Sequence, residues 1–139
     1  GVDLAPQALE GTLAGARVVY LVGRIDRDGI ALAADAPPIP FNVLQAALLA
    51  AAPDAVVLAG PATGEAGQRA LAACCAAAAV VVRRRWDADP ECETALAIVR
   101  HLMLAEVDDP ALAAGMGLQA ALRAGLPGWP AYEVCVGVS

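Results

Sequence analysis

The stretch that decides the fold is AVVLAGPATGEAGQRALAACCAAAAVVVRR, residues 55–84. It begins with an apolar run at 55–59 and ends with a valine-rich run at 79–84. Short apolar runs bounded by turn residues are typical of buried strands. Between the two runs, residues 60–64 favour a loop, and the alanine-rich residues 65–76 favour a helix. The stretch therefore predicts a strand, a helix and a further strand.

The same alternation extends outward in both directions from this stretch. Further strands are predicted at 17–23, at 30–33 after an Asp-Gly turn at 24–29, and at 132–138. The remaining helices are predicted at 3–14, 41–51, 90–105 and 110–124. Strands that alternate with helices imply a mostly parallel sheet covered on both faces. We expect one α/β domain over residues 1–139.

One apolar stripe orients the predicted helix 90–105. Cys92, Leu96, Val99 and Met103 follow helical spacing, so we expect them to face the core. His101 would then lie on the opposite, exposed side.

Composition excludes several classes of function. The net charge is −6 and all nine basic residues are arginine, without a basic stripe, which argues against nucleic-acid binding. No apolar run is long enough to span a bilayer, and no signal peptide is visible. The four cysteines are expected to be free thiols, and a single histidine leaves a zinc cluster short of ligands. We therefore expect a cytoplasmic protein without metal or cofactor, and the arginine and alanine bias suggests a GC-rich bacterial genome.

The order of these signals resembles one family. The segments that carry the resemblance are VVYLVG (18–23), VVLAGPATG (56–64), AAAVVV (77–82), WDAD (86–89) and WPAYEVCVG (129–137). They are similar, in this order, to the histidine strand, the cysteine strand and loop, the next strand, the tryptophan loop and the closing segment of CHAT domains. That family is caspase-like, and the resemblance covers residues 4–137. It implies a three-layer caspase-like sandwich.

Two departures from the family bear on activity. The family's catalytic histidine falls on Arg24, and its nucleophilic cysteine falls on Pro61. Proline offers no nucleophile, and arginine stays protonated at physiological pH, so neither can do the chemistry of a cysteine peptidase. The resemblance therefore implies a pseudo-peptidase that serves as a protein–protein interaction or regulatory module.

The resemblance also implies a binding cleft. It would lie at the carboxyl ends of the strands, where open α/β sheets place their ligands, and would take a protein or peptide partner. Its expected lining is Arg24, Pro61, Arg84, Arg85 and Trp86. The family's first strands have no counterpart here, so an upstream segment or a partner chain would complete the sheet.

Alternatives remain open at this point. Arg83, Arg84 and Arg85 could hold an acidic peptide, or simply pair at the surface with Asp87, Asp89 or Glu91. The chain could be an active cysteine peptidase whose dyad is displaced, using Cys92 or another thiol with His101. It could also be a purely structural domain of a larger assembly.

Overall fold

The computed structural model of the protein describes residues 11–32, 37–61, 64–84, 92–104 and 109–136. A helical turn at 11–13 precedes the first strand, and the rest of the helix predicted at 3–14 lies outside the described residues. The strands are β1 (Val18–Leu21), β2 (Arg24–Asp26), β3 (Gly29–Ala31), β4 (Ala55–Pro61), β5 (Val80–Arg84) and β6 (Tyr132–Val136). The helices are α1 (Phe41–Ala51), α2 (Gly64–Cys75), α3 (Glu93–Leu104) and α4 (Pro110–Ala124), with a 3-10 turn at Trp129–Ala131.

The main sheet has four strands in the order β1-β4-β5-β6. β4 runs parallel to both β1 and β5, and only β6 is antiparallel to its neighbour. The predicted mostly parallel sheet is therefore confirmed. The carboxyl ends of β1, β4 and β5 meet at one end of the sheet.

Helices cover both faces of this sheet. Alternate residues of β4 supply the two cores, because successive side chains of a strand point to opposite faces. On one face, Val56 and Leu58 belong to a buried cluster with residues of α1 and α2. On the other face, Ala55 and Val57 belong to a cluster with residues of α3 and α4. The architecture is thus a mixed α/β fold with the sheet between two helical layers.

The bounds of α1 and α4 agree with the sequence prediction. α4 begins after Asp109, whose carboxylate accepts from the amides of Ala111 and Leu112. It ends at Gly125, which adopts the left-handed conformation with φ 69°. These are the N-cap and C-cap interactions that satisfy the free backbone groups of helix ends.

The region after β1 corrects the prediction of a polar turn at 24–29. Residues Arg24–Asp26 form a strand of their own, β2, which pairs with β3 in a separate two-stranded antiparallel sheet. The turn is reduced to Arg27 and Asp28, because Asp26 pairs with Gly29. Ile25 explains the difference, since its partly buried side chain packs against a cluster that contains Phe41.

The face that α3 turns to the core also differs from the prediction. Its buried residues are Thr94, Ala95, Ile98 and Leu102, whereas Leu96 and Met103 are 40% and 59% exposed. Of the predicted stripe, only Cys92 and Val99 are half-buried against the core.

The reason for this orientation is close packing between α3 and α4. A Cβ on Gly117 would lie 2.8 Å from the Cα of Ile98, so the two backbones nearly touch. The buried hydroxyl of Thr94 donates to the carbonyl of Pro127 at 2.7 Å. His101, expected to be exposed, is half-buried beside Gly117. The inner face of α3 therefore combines small residues, Thr94 and Ala95, with the large apolar residues Ile98 and Leu102.

The longest helix that the structure describes is Pro110–Ala124. None of the described helices combines the length and the apolar character that crossing a bilayer requires.

Candidate functional site at the carboxyl end of the sheet

Two of the predicted cleft positions are neighbours at the end of the sheet. Pro61 on β4 pairs with Arg84 on β5, after an irregularity in the register between Leu58 and Pro61. Arg84 also pairs with Tyr132 of β6. Its side chain is 6% exposed, which is unusual for an arginine. A buried guanidinium thus lies in the strand next to Pro61.

Arg24 lies on the hairpin that directly follows β1. It is exposed, and its Nε lies 3.6 Å from Oδ2 of Asp26. An exposed ion pair of this length contributes little stability. The strand β2 that carries Arg24 contacts both β4 and α2. The hairpin after β1 therefore lies beside β4 and the helix that follows it. Arg85 and Trp86 lie outside the described residues.

A pocket of about 270 Å³ lies where this hairpin meets α2. The hairpin turn contributes Arg27 and Asp28, and the first turns of α2 contribute Glu65, Ala66 and Arg69. Sequence reasoning did not predict this pocket. The available signal was weak: charged residues in a turn after one strand, and others in the first turns of a helix that follows the next parallel strand.

Arg69 connects the two sides of this pocket. Its Nη1 donates to the backbone carbonyl of Arg27 at 3.2 Å. Its guanidinium lies over the ring of Phe41, 5.0 Å from the ring centroid, in a cation–π contact. Phe41 is buried, so the Arg69 side chain rests on a fixed part of the core.

The arginine run 83–85 divides between different environments. The Nε of Arg83 lies 3.0 Å from Oε2 of Glu133, its partner across β5 and β6. Asp87, Asp89 and Glu91, the other partners that the sequence suggested for the arginine run, lie outside the described residues. Register placed Glu133 opposite Arg83, and sequence spacing alone could not show it. The Arg83–Glu133 ion pair therefore links β5 to the edge strand β6, whereas Arg84 is buried at the end of β5.

The thiols of α2 and β6 are poorly suited to nucleophilic chemistry. Burial, with a smaller contribution from the neighbouring Cys75, raises the pKa of Cys74 to about 12. Burial also raises the pKa of Cys75 and of Cys135. The thiolate is the nucleophilic form of cysteine, so a raised pKa lowers its reactivity.

The displaced dyad of Cys92 and His101 is also opposed by geometry. The backbone carbonyl of Cys92 accepts a hydrogen bond from the amide of Leu96, so Cys92 lies at the start of α3. His101 lies nine residues later in the same helix. At 1.5 Å per residue, that separation is about 13 Å along the helix axis. The ring Nδ1 of His101 instead lies 3.0 Å from the carbonyl of Ala97. These two side chains cannot exchange a proton directly.

Comparisons with protein-family models, with curated proteins and with solved structures find no match to this chain. Within the described ranges, no three His, Cys, Asp or Glu side chains gather in a group that could hold a metal ion. The candidate site is therefore defined by the geometry of the strand ends and of the adjoining pocket.

Proposed function

We propose that this protein is a non-catalytic, caspase-like module of the CHAT type that binds a protein or peptide partner at the carboxyl end of its sheet. The observation that carries the proposal is the pairing of Pro61 with Arg84, beside a hairpin that carries Arg24. The positions that would hold a nucleophile and a base in the resembling family thus carry proline and arginine.

Partner binding at this end has a physical rationale. Open α/β sheets bind ligands outside the carboxyl ends of their parallel strands, because the adjoining loops and helix starts leave a crevice there. Arg24 adds an exposed cation at this end. Guanidinium groups are common at the centres of protein interfaces because they stack and form bidentate hydrogen bonds.

The competing proposal of an active cysteine peptidase has less support. It needs a thiolate close to an imidazole, and Cys92 and His101 are separated by more than two turns of α3. The raised pKa values of the other described thiols oppose it further.

Phage-displayed peptide selection tests the binding proposal. Peptides selected on the wild-type chain are expected to lose at least tenfold in affinity for Arg24→Glu, because the change reverses a charge in the cleft. The matched control is Arg123→Glu, an exposed arginine in the last turn of α4, which should bind as the wild type does. Equal affinity of the wild type and Arg24→Glu for every selected peptide would contradict the proposal.

A peptide chloromethyl ketone tests the enzymatic alternative with the same protein. If the protein is non-catalytic, no cysteine of the folded chain should be alkylated faster than the cysteines of the unfolded chain. Selective alkylation of one cysteine, abolished by His101→Ala, would instead establish a working thiol–imidazole pair.

A further inference from the structure

The pocket between the hairpin and α2 is lined by charges of both signs. Arg27 and Arg69 supply two cations, and Asp28 and Glu65 supply two anions. The described residues form ion pairs elsewhere, at Arg17–Asp54, Arg24–Asp26 and Arg83–Glu133. Within the described part of the chain, the four pocket side chains do not form ion pairs with one another.

Two contacts restrain the Arg69 guanidinium before any ligand arrives. One nitrogen is held by the carbonyl of Arg27, and the plane of the group rests near the ring of Phe41. Arginine has five N–H donors, so this arrangement leaves donors for a planar anion such as a carboxylate. A group that is already ordered loses less side-chain entropy on binding, which favours affinity.

The two carboxylates restrict which anion can enter. Asp28 lies in a turn that is itself fixed, because its amide donates to Oδ1 of Asp26 at 2.9 Å. A ligand with only a negative charge would be repelled by Asp28 and Glu65. A ligand with only a positive charge would be repelled by Arg27 and Arg69. A ligand with both charges satisfies the whole lining.

The size of the pocket limits the ligand further. A volume of about 270 Å³ lies just below the range of about 300–1,000 Å³ that is usual for ligand pockets. We infer that the pocket binds a small zwitterion of the α-amino acid class, with its carboxylate at Arg69 and Arg27 and its ammonium at Asp28 and Glu65. This inference goes beyond the proposed partner binding and does not depend on it.

An NMR titration of the ¹⁵N-labelled full chain tests the inference, with the twenty L-amino acids added one at a time at millimolar concentration. At least one is expected to give saturable shifts at the amides of 27–29 and 64–69. Its N-acetyl and methyl ester derivatives, which each lack one charge, should bind at least tenfold more weakly. No saturable shift with any amino acid, or blocked derivatives that bind within twofold of the parent, would overturn the inference.

Two variants locate the site. Arg69→Gln and Glu65→Gln are each expected to weaken binding at least tenfold, and Arg100→Gln, on the exposed side of α3, should leave it unchanged. Arg69→Gln could disrupt the contact between the hairpin and α2. Glu65 is exposed, so Glu65→Gln should fold normally and still test the site. Wild-type affinity in folded Glu65→Gln would also overturn the inference. Neither result bears on peptide binding at Arg24, which is measured separately.

Discussion

At the scale of single residues, Gly117 controls the approach of two helices. A Cβ there would lie 2.8 Å from the Cα of Ile98 and 3.3 Å from the Cβ of His101. The nearest atom belongs to the backbone, so the neighbour cannot move aside without shifting α3. The glycine is therefore a requirement of the packing, although glycine is otherwise unfavourable inside a helix.

Gly117→Val is expected to destabilise the protein by about 2 kcal/mol through overpacking. The matched control is Gly115→Ala in the same helix, where an added Cβ meets nothing within 4 Å. That change should stabilise the protein by about 0.5–1 kcal/mol, because alanine loses less backbone entropy in a helix. Urea unfolding of both variants provides the measurement. A Gly117→Val variant as stable as the wild type would show that α3 and α4 are not in close contact.

Ionisation of the buried Cys74 thiol is expected to lower the free energy of unfolding in alkaline solution. Its folded pKa of about 12 lies above the ordinary thiol pKa of 9.0, so the folded state keeps the proton where the unfolded state has released it. The stabilising contribution is complete below pH 9 and is lost as the pH rises from 9 toward 12. Between pH 8 and pH 10 the loss is on the order of 1 kcal/mol.

The measurement is urea unfolding at both pH values, for the wild type and for Cys74→Ala. The variant should show a smaller drop between pH 8 and pH 10, with a remainder from Cys75 and Cys135, whose pKa values are also raised. An identical drop in both proteins would mean that Cys74 ionises as freely in the folded state as in the unfolded one.

At the scale of secondary structure elements, local signals and tertiary packing had different predictive value. The bounds of α4 could be predicted because its capping residues, Asp109 and Gly125, act within one turn of the helix ends. The face of α3 could not. Its large apolar residues Leu96 and Met103 outline a stripe, but the close contact of Gly117 with Ile98 turns a different face of the helix, which includes Ile98 and Leu102, toward the core.

Two adjacent residues test which face of α3 is buried. Leu102 is 3% exposed and Met103 is 59% exposed. Leu102→Ala is expected to cost about 3 kcal/mol, because it removes buried methyl groups and leaves a cavity. Met103→Gln should change the free energy of unfolding by less than about 0.5 kcal/mol. A larger loss of stability in Met103→Gln than in Leu102→Ala would contradict this orientation of α3.

The hairpin illustrates the same limit. The Asp-Gly signal at Asp28 and Gly29 correctly indicated a hairpin, but the turn lies at Arg27 and Asp28, and Gly29 already pairs with Asp26 as the first residue of β3. The strand β2 was not predicted, because polar neighbours surround Ile25. Its pairing depends on the packing of Ile25 against α1 and α2, which is a long-range contact.

At the scale of the whole molecule, topology determined how much of the site could be predicted. Parallel strands end on the same side of a sheet, so the alternation of strands and helices placed Pro61 and Arg84 at the same end. It did not give the strand order that makes β4 and β5 neighbours. The pocket did not follow from it. Arg27 and Arg69 are 42 residues apart and meet only because the hairpin docks on α2.

The edges of the sheet provide a last prediction. β4 and β5 have a neighbouring strand on each side, whereas β1 pairs only with β4 within the described residues. In a parallel pair, alternate amides of a strand point toward the partner and the others point away. In the isolated chain, we expect the amides of β1 that point away from β4 to exchange with deuterium at least a hundredfold faster than those that point toward it. The amides of β4 and β5 should exchange only on near-global unfolding.

Hydrogen exchange resolved by NMR distinguishes the possible coverings of this edge. The family resemblance implies that an upstream segment or a partner chain completes the sheet; if it is a partner chain, the fast amides of β1 become protected only when that chain is added. Protection of every β1 amide in the isolated chain would contradict an open edge, because each protected amide needs an acceptor. A backbone donor at a sheet edge pairs with water, with another strand or with a covering segment, and its exchange rate reports which of these is present.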